Sequence, residues 1–299
     1  MVSQVRRFNR IVTQRVGALN DRFLARDRSI GEARLLWEIG EEGRDVRALR
    51  LQLELDSGYL SRLLRSLEHA GLVTVGRKGV DKRVRVARLT QSGSAERSVL
   101  DQRSDELAAS LLTPLSARQR ARLVAAMAEV ERLLTAAMVE VAPIDPAHPD
   151  AQHCLQEYFS ELNRRFDTGF DPAVSIRVDK EDLRPPAGLF LLASLRGDPI
   201  GCVGLRFHGK ESADIKRMWV AESQRGLGIG RRLLVELERH ATDQGARAVR
   251  LDTNRALVEA ISLYRSAGYL EVGPFNDEPY AHHWFEKQLG QVSPPAESQ

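Results

Sequence analysis

The stretch QRGLGIGRRLL, residues 224–234, decides the fold of the second half of the chain. It follows directly after Asp214–Val220, which is predicted to be a β-strand, and it leads into the apolar spacing of a helix. A strand, a glycine-rich loop and a helix N-terminus together point free backbone N–H groups at an anion. Glycine suits such a loop because a side chain would keep a phosphate away from the backbone. The stretch therefore predicts a site for a pyrophosphate group.

Two other phosphate-binding loops do not match this spacing. A dinucleotide-binding loop has the pattern G-x-G-x-x-G and an acidic residue about 20 positions further on, whereas the glycines here are spaced G-x-G-x-G. A Walker loop has the pattern G-x-x-x-x-G-K-[ST], and no lysine follows Gly230. Both kinds of nucleotide site are disfavoured.

The pattern that remains, Arg225-x-x-Gly228-x-Gly230, resembles the [Q/R]-x-x-G-x-[G/A] motif of the GNAT superfamily of acyl-CoA-dependent N-acetyltransferases. Val249–Asn254 as the next strand and Glu259–Tyr269 as a helix with its exit turn resemble the later part of the same superfamily. The resemblance implies an α/β GNAT acyltransferase fold with a central mixed β-sheet. It also implies acetyl-CoA as the donor substrate. No metal is expected, because the adjacent His282 and His283 face opposite ways on a strand.

The GNAT resemblance implies roles for the residues around the loop. The strands that end at Val220 and Asn254 are expected to splay apart, so that the pantetheine arm pairs with freed backbone and the loop amides hold the pyrophosphate. Tyr264 matches the general acid that protonates the departing thiolate. The implied acetyl-CoA-binding residues are Met218, Trp219, Val220, Arg225, Gly226, Leu227, Gly228, Ile229, Gly230, Arg231 and Asn254.

The acceptor side of the site is less sharply defined. A carboxylate or a water relay could take the proton of the amine, and the candidate carboxylates are Asp214, Glu222, Asp252 and Glu278. The segment Pro274–Lys287 resembles a last hairpin whose loop roofs the acceptor. The predicted substrate-wall residues are Phe166, Phe170, Glu278 and Tyr280. The expected acceptor is a small primary amine, such as an amino acid, an amine metabolite or an antibiotic.

A different pattern occupies residues 46–71 in the first half of the chain. Val46–Leu55 predicts a short helix, Asp56-Ser57-Gly58 a tight turn, and Tyr59–Ala70 a second helix closed by Gly71. The inward face of the second helix is predicted to hold Leu60, Leu63, Leu64 and Leu67. Two helices joined by a short turn, with a basic outer face, indicate a helix-turn-helix.

A basic hairpin is predicted directly after these helices. Residues 72–75 and 84–89 have strand patterns, and the loop between them is rich in Lys and Arg, like the wing of a DNA-binding domain. Arginine can bind a guanine edge, and Ser and Tyr hydroxyls can contact phosphates. The predicted DNA-binding residues are Ser57, Tyr59, Arg62, Arg65, Arg77, Lys78, Lys82 and Arg83.

The first half also resembles a known family of regulators. The signature Asp81-Lys82-Arg83, followed by Leu89-Thr90 and Gly93, resembles the wing of the MarR family of multiple-antibiotic-resistance regulators. Amphipathic helices are predicted on both sides of it, over residues 5–24 and 90–137. The resemblance implies a mainly helical (α+β) winged helix-turn-helix that binds pseudo-palindromic double-stranded DNA as a homodimer held by these terminal helices.

The distribution of charge supports a division of the chain into two halves of different character. Of the 299 residues, the first 137 carry 25 basic and 17 acidic residues, a net charge of +8, and the rest carries a net charge of −5. A basic half suits a polyanion, and an acidic half does not. The longest apolar run, Gly188–Leu195, is much shorter than a membrane helix, and Cys154 and Cys202 form no disulfide framework. The expected location is the cytoplasm, with no membrane partner.

The chain is therefore predicted to be a fusion protein. Residues 1–137 would be a MarR-like DNA-binding and dimerisation domain, residues 138–290 a GNAT-like acetyltransferase, and residues 291–299 a polar tail. The predicted function is acetyl-CoA-dependent N-acetylation of a small amine by a protein that also regulates transcription. Two alternatives remain at this stage: a regulator whose GNAT-like domain is a non-catalytic sensor of acyl-CoA or a metabolite, and a protein-lysine acetyltransferase.

Overall fold

The computed structural model describes residues 1–18, 24, 26–78 and 81–290, without the side chains of residues 78 and 81–83. The chain forms two compact units, Met1–Ala128 and Glu129–Gln299. In the described part of the chain a membrane-spanning helix is absent, because none of the helices combines the required length with a sufficiently apolar sequence. The predicted polar tail lies outside the described residues.

The first unit is mainly helical. Its helices are α1 (Val2–Arg15), α2 (Ile30–Ile39), α3 (Val46–Gln52), α4 (Ser57–His69) and α5 (Gln91–Leu112), and α6 (Ala117–Ala137) continues into the second unit. Its strands β1 (Arg44–Asp45), β2 (Val73–Lys78) and β3 (Asp81–Leu89) form an antiparallel sheet in the order β1-β3-β2. Leucines from α2 to α5 make up much of its core: Leu35, Leu36, Leu49, Leu60, Leu64, Leu67 and Leu100.

The turn between α3 and α4 differs from the prediction. Asp56 is the N-cap of α4, and its carboxylate accepts a hydrogen bond from Tyr59 N at 2.8 Å. Ser57 and Gly58 therefore lie in the first turn of α4 and do not form the predicted tight turn, because the capping carboxylate favours helix from Ser57 onward. Gly71 follows the helix with a φ of +69°, as its predicted C-terminal position requires.

The basic hairpin is longer than predicted. Strands β2 and β3 continue into the segment predicted as a loop, because backbone pairing extends through Gly76 opposite Val86 and Arg77 opposite Arg85. The register shifts after Arg77, where a bulge or irregularity interrupts the ladder. The side chains of Lys78, Lys82 and Arg83 lie outside the described residues.

Two helices of the described chain bury none of their residues. Helix α1 ends at Arg15, short of the predicted end at Leu24, and α6 ends at Ala137. Residues 19–23 of the predicted first helix lie outside the described residues. Large apolar side chains stay exposed on both helices: Val2, Val5, Phe8, Ile11, Val12, Val124, Met127, Leu133 and Leu134.

The second unit is built on a mixed sheet. Its strands are β4 (Val139–Pro143), β5 (Gly188–Leu195), β6 (Asp198–His208), β7 (Ser212–Val220), β8 (Ala248–Thr253), β9 (Leu270–Val272) and β10 (His283–Gln288). They lie in the order β4-β5-β6-β7-β8-β10-β9, with β7 and β8 parallel and the other neighbours antiparallel. Strands β9 and β10 form an antiparallel hairpin whose first strand, Leu270–Val272, begins before the predicted segment Pro274–Lys287.

The parallel strands β7 and β8 separate along their length. They pair only at Ser212–Asp214 with Ala248–Arg250, near the start of both strands. Beyond these pairs the strands run unpaired toward Val220 and Thr253, so the sheet opens where the sequence predicts a splay. Along this stretch the backbone groups of β7 that face β8 have no ladder partner on β8.

Helices cover both faces of this sheet. Helix α8 (Ile229–Asp243) and α9 (Val258–Ser266) pack with the buried Leu205, Ile215 and Leu251. Helix α7 (Pro149–Arg165) lies against the other face, where Cys154 and Leu155 contact a cluster with Phe190 and Trp219. The opening between β7 and β8 therefore lies between α7 on one side and α9 on the other.

Candidate active site

The glycine loop between β7 and α8 has a backbone that requires glycine. Gly226 and Gly228 have φ values of +84° and +77°, in the left-handed region that L side chains rarely adopt. A Cβ added at either glycine would meet no atom within 4 Å, so the space beside the loop is open. Gly228 is the N-cap of α8 and offers no capping side chain, which leaves the first amides of this helix available to an anion. The loop thus fits a pyrophosphate group.

The side chain of Arg225 binds protein groups. Its Nη2 donates to Glu161 Oε2 at 2.6 Å, and its Nε donates to Val220 O at 3.1 Å. The other contacts of Glu161 are with Trp219 Nε1 at 3.0 Å and with Arg165 Nη1 at 3.1 Å. This network joins the glycine loop to α7 and to the end of β7. Sequence reasoning missed Glu161 and Arg165, whose i, i+4 spacing on α7 is the only sign of them in the sequence.

An open cavity, here called the loop cavity, lies between the glycine loop, α7 and α9. Nine residues predicted to bind acetyl-CoA line it: Met218, Trp219, Val220, Arg225, Gly226, Gly228, Ile229, Gly230 and Arg231. Leu227 packs against the hydrophobic core of the second unit and is not among the residues that line the loop cavity. Asn254 lies at a second cavity.

All the predicted substrate-wall residues line this second cavity, here called the roof cavity. It is lined by Phe166, Phe170, Glu278 and Tyr280, and by Asn254. The ring centroids of Phe170 and Tyr280 are 4.9 Å apart, and those of Phe166 and Tyr280 are 5.7 Å apart. Phe159 stacks on Phe170 at 5.8 Å and extends the aromatic wall. Sequence reasoning missed this last ring.

Hydrogen bonds join three chain segments around the roof cavity. Glu278 Oε2 accepts from Ser175 Oγ at 2.8 Å and from Ile176 N at 2.9 Å. The hydroxyl of Tyr280 accepts from Asp171 N at 3.0 Å, and Asn254 Nδ2 donates to Tyr280 O at 2.8 Å. The end of β8, residues 171–176 and the last loop are therefore held together around the cavity.

Tyr264 on α9 lines both cavities, as does Met218. Its side chain is only 6% exposed, and its hydroxyl donates to Met218 Sδ at 3.7 Å. Burial, and secondly the nearby Asp252 carboxylate, raise the pKa of the Tyr264 hydroxyl well above its ordinary value. The hydroxyl therefore keeps its proton at neutral and moderately alkaline pH.

Comparison with known proteins identifies the family of this site. The family described as "Acetyltransferase (GNAT) family" matches residues 153–269. The IAA acetyltransferase of Azospirillum brasilense is 32% identical over 130 residues, which are 43% of this chain and 84% of that protein. The chain belongs to the GNAT family of acetyltransferases.

Two further matches to this GNAT chain are weaker. The first covers a smaller share of the chain, and the second has a lower sequence identity. An uncharacterized N-acetyltransferase of Schizosaccharomyces pombe is 33% identical over 97 residues, which are 32% of this chain and 60% of that protein. A solved acetyltransferase of the GNAT family from Staphylococcus aureus is 18% identical with a TM-score of 0.41, and the match covers 51% of this chain and 99% of that one.

As a GNAT acetyltransferase, the chain is an acyl-CoA-dependent N-acetyltransferase. The predicted enzyme class and the predicted mixed sheet are confirmed. The roles of the individual site residues stay predictions.

The structure separates the carboxylates considered as proton acceptors in this GNAT site. Asp252 and Glu278 line the roof cavity, whereas Glu222 lines a different hollow and Asp214 contacts His208 Nε2 at 3.0 Å. Asp252 Oδ1 contacts Lys216 Nζ at 2.5 Å and Asn276 Nδ2 at 2.9 Å. Two of the four candidates, Asp252 and Glu278, thus line the roof cavity.

A candidate nucleic-acid interface lies in the first unit. On α4 the side chains of Ser57, Tyr59, Arg62 and Arg65 are exposed, opposite the buried leucine face of the helix. The guanidinium carbon of Arg62 lies 5.6 Å from the centre of the Tyr59 ring. Arg77, on the hairpin, is also exposed. These side chains form a basic surface on α4 and β2.

Proposed function

We propose that this GNAT enzyme transfers an acetyl group from acetyl-CoA to the primary amine of a small acceptor. The observation that carries this proposal is the position of Tyr264, which lines the loop cavity and the roof cavity together. A donor in the first cavity and an acceptor in the second would meet at this hydroxyl.

The loop cavity suits the donor. The amides of Gly226, Gly228 and the first turn of α8 would hold its pyrophosphate, because the backbone there is free of side chains and lies at the positive end of a helix dipole. The side of β7 that is not paired with β8, from Met218 to Val220, would bind the pantetheine arm. Acetyl-CoA supplies an activated thioester whose carbonyl carbon accepts an amine.

The residues around Tyr264 supply the proton chemistry. The raised pKa of Tyr264 keeps its hydroxyl protonated, so that it can donate a proton to the departing sulfur. A backbone N–H of β7 near Val220 would stabilise the developing negative charge on the carbonyl oxygen. The carboxylates of Asp252 and Glu278 are candidates to orient the amine or to receive its proton, directly or through water.

The roof cavity favours a small acceptor over a lysine of another protein. Its volume is about 190 Å³, aromatic rings form part of its wall, and hydrogen bonds join the segments that line it. A cavity of this size suits a small molecule, whereas a protein lysine would also need room for the flanking peptide.

The test of this function is acceptor-dependent release of the coenzyme A thiol. Purified protein is mixed with acetyl-CoA and, in separate reactions, with amino acids, simple amines, amine antibiotics and lysine-rich peptides. Release with a small amine supports the proposal, and release with peptides alone supports a protein-lysine acetyltransferase. Calorimetric binding of acetyl-CoA without release from any acceptor would support the non-catalytic sensor.

We further propose that residues 1–137 form a MarR-like winged helix-turn-helix that binds double-stranded DNA as a homodimer. The support is the order α3, α4 and hairpin, together with the exposed Tyr59, Arg62 and Arg65 on α4. The exposed apolar residues of α1 and α6 suit a contact with a second copy, because a free helix rarely leaves so much apolar surface in water.

The DNA-binding proposal predicts a strong dependence on salt. Phosphate contacts release counterions, so affinity for operator fragments must fall as salt rises. Gel-shift titrations at two salt concentrations, with light scattering of the free protein, measure both affinity and oligomeric state. No shift at low salt would limit this half to dimerisation, and a monomer would contradict the homodimer.

A further inference from the structure

An unusual backbone conformation places Arg217 in the wall of the roof cavity. Strand β7 is bulged, since its register with β6 shifts between Cys202 and Gly204. Arg217 lies in the bulge with a φ of +56°, a conformation that costs a non-glycine residue about 1 kcal/mol or more. Because the bulge interrupts the alternation of the strand, Lys216, Arg217 and Met218 all line the cavity.

The guanidinium of Arg217 is held between the aromatic wall and the roof. Its carbon lies 5.6 Å from the centre of the Phe159 ring, and Nη2 donates to Val178 O. Burial lowers the pKa of Arg217 from its ordinary value, yet an arginine remains charged at neutral pH. Within the described ranges, Nε and Nη1 have no acceptor and no carboxylate lies at ion-pair distance from this side chain.

The other charged groups of the roof cavity have partners. Lys216 contacts Asp252 at 2.5 Å, and Arg177 contacts Asp179 at 2.8 Å. The carboxylate of Glu278 accepts hydrogen bonds from Ser175 Oγ and from backbone amides. Both carboxylates that line the cavity are therefore already engaged, and neither forms an ion pair with Arg217, which the Asp179 and Asp182 carboxylates affect only from a longer distance.

We propose that Arg217 binds a carboxylate of the acceptor, so that the substrates are amines that also carry a carboxylate on an apolar body. The inference rests on the acetyl transfer proposed above and specifies its substrate class. A carboxylate fits the planar N–H fork of arginine, and Nε and Nη1 of Arg217 have no protein acceptor within the described ranges. The apolar body would lie against Phe159, Phe166, Phe170 and Tyr280.

Matched acceptors test this assignment. Phenylalanine and 2-phenylethylamine differ only by the carboxylate, as do leucine and 3-methylbutylamine. Thiol release from acetyl-CoA gives kcat/KM for each. We expect wild-type protein to favour each amino acid over its decarboxylated partner by about 10- to 100-fold, the range of a hydrogen-bonded charged group.

Substitution of Arg217 should abolish this preference. Arg217→Gln is expected to lower kcat/KM for phenylalanine by about 10- to 100-fold and to leave that for 2-phenylethylamine within about twofold. Arg217→Lys keeps the charge and should retain part of the preference. The matched control is Arg206→Gln on the neighbouring strand β6, where Arg206 lies on the surface 3.7 Å from Asp182, and it should leave both values unchanged.

The possible outcomes distinguish a failure of this inference from a failure of the proposed acetyl transfer. Equal or faster acetylation of the decarboxylated amines by wild-type protein overturns the role of Arg217 and leaves acetyl transfer standing. A preference for the amino acids that survives Arg217→Gln overturns it as well. If Arg217→Gln does not fold, the inference is tested by the ratio of kcat/KM for each amino acid to that for its decarboxylated partner. This ratio is then compared between wild-type protein and Arg217→Lys. Absence of thiol release with every acceptor contradicts the proposed function and this inference with it.

Discussion

The hydroxyl of Tyr264 on α9 donates to the sulfur of Met218 on β7 at 3.7 Å. A thioether sulfur is a weak acceptor, so the hydroxyl loses little when a stronger acceptor arrives. The contact lies where the loop cavity meets the roof cavity, beside the opening between β7 and β8. A buried proton donor is thus held at the point where a thiolate would leave.

Removal of the Tyr264 hydroxyl should slow turnover with little effect on donor binding. Tyr264→Phe keeps the buried ring and removes only the proton donor, so kcat is expected to fall by about 100-fold or more. The dissociation constant for acetyl-CoA, measured by calorimetry, should stay within about twofold because only the weak bond to Met218 is lost. Equal turnover of the variant and the parent would remove Tyr264 from the chemistry.

The pH dependence of turnover should reflect the raised pKa of Tyr264. An ordinary tyrosine loses its proton near pH 10, whereas burial and Asp252 shift this loss to higher pH. A raised pKa keeps the acid form present at higher pH, so kcat should show no decline centred near pH 10. A decline with that midpoint in the parent, absent from the residual activity of Tyr264→Phe, would contradict this prediction.

The backbone of the glycine loop should matter for the donor. Gly228→Ala places a Cβ in the open space of the loop at a φ of +77°, so KM for acetyl-CoA is expected to rise by about 10-fold or more. Gly209→Ala is the matched control, because Gly209 has a φ of +63° and equally open surroundings in the turn between β6 and β7.

Comparison of these alanine variants separates strain from binding. Both should lose a similar amount of stability, about 1 kcal/mol, whereas only Gly228→Ala should raise the KM. A similar KM for both variants would show that the glycine loop does not hold the donor.

The buried carboxylate of Glu161 should stabilise the loop through Arg225. Glu161→Gln leaves Arg225 and Arg165 without their shared countercharge, and we expect the free energy of unfolding to fall by about 1–3 kcal/mol. We also expect the KM for acetyl-CoA to rise in this variant. Urea unfolding and steady-state kinetics measure the two effects. Glu236→Gln, which removes a surface pair with Arg239, is the control and should cost less than about 1 kcal/mol.

The basic surface of α4 should contribute to DNA affinity. Arg62→Ala and Arg65→Ala are each expected to weaken binding, and a lost phosphate contact should reduce the slope of log affinity against log salt by about 1. Arg34→Ala on α2 is the control, because Arg34 is also exposed but contacts Glu38. Unchanged affinity in both α4 variants would place DNA binding elsewhere or exclude it.

Local sequence signals account for the order of elements and for the glycine loop. The spacing of Arg225, Gly228 and Gly230 predicts a strand, a loop and a helix, and these are present as β7, the loop and α8. The apolar spacing in α4 also gives its buried face correctly. Such features depend on residues that are close in sequence, so their patterns can be read directly.

Other features depend on distant partners. Arg225 matches a motif position, but its side chain contacts Glu161, 64 residues away in sequence. The bulge at Arg217 arises from the pairing of β7 with β6, which no local pattern displays. Asp56 could have been read as an N-cap, since an aspartate before a helical pattern is the usual signal, and the turn prediction overlooked it.

The most direct test of the central proposal is thiol release from acetyl-CoA with and without a small amine. We predict little release from acetyl-CoA alone, a rate that rises and saturates with the amine, and an N-acetylated product detected by mass spectrometry. Binding of acetyl-CoA without release from any amine in the panel would contradict the proposal that this chain acetylates a small acceptor.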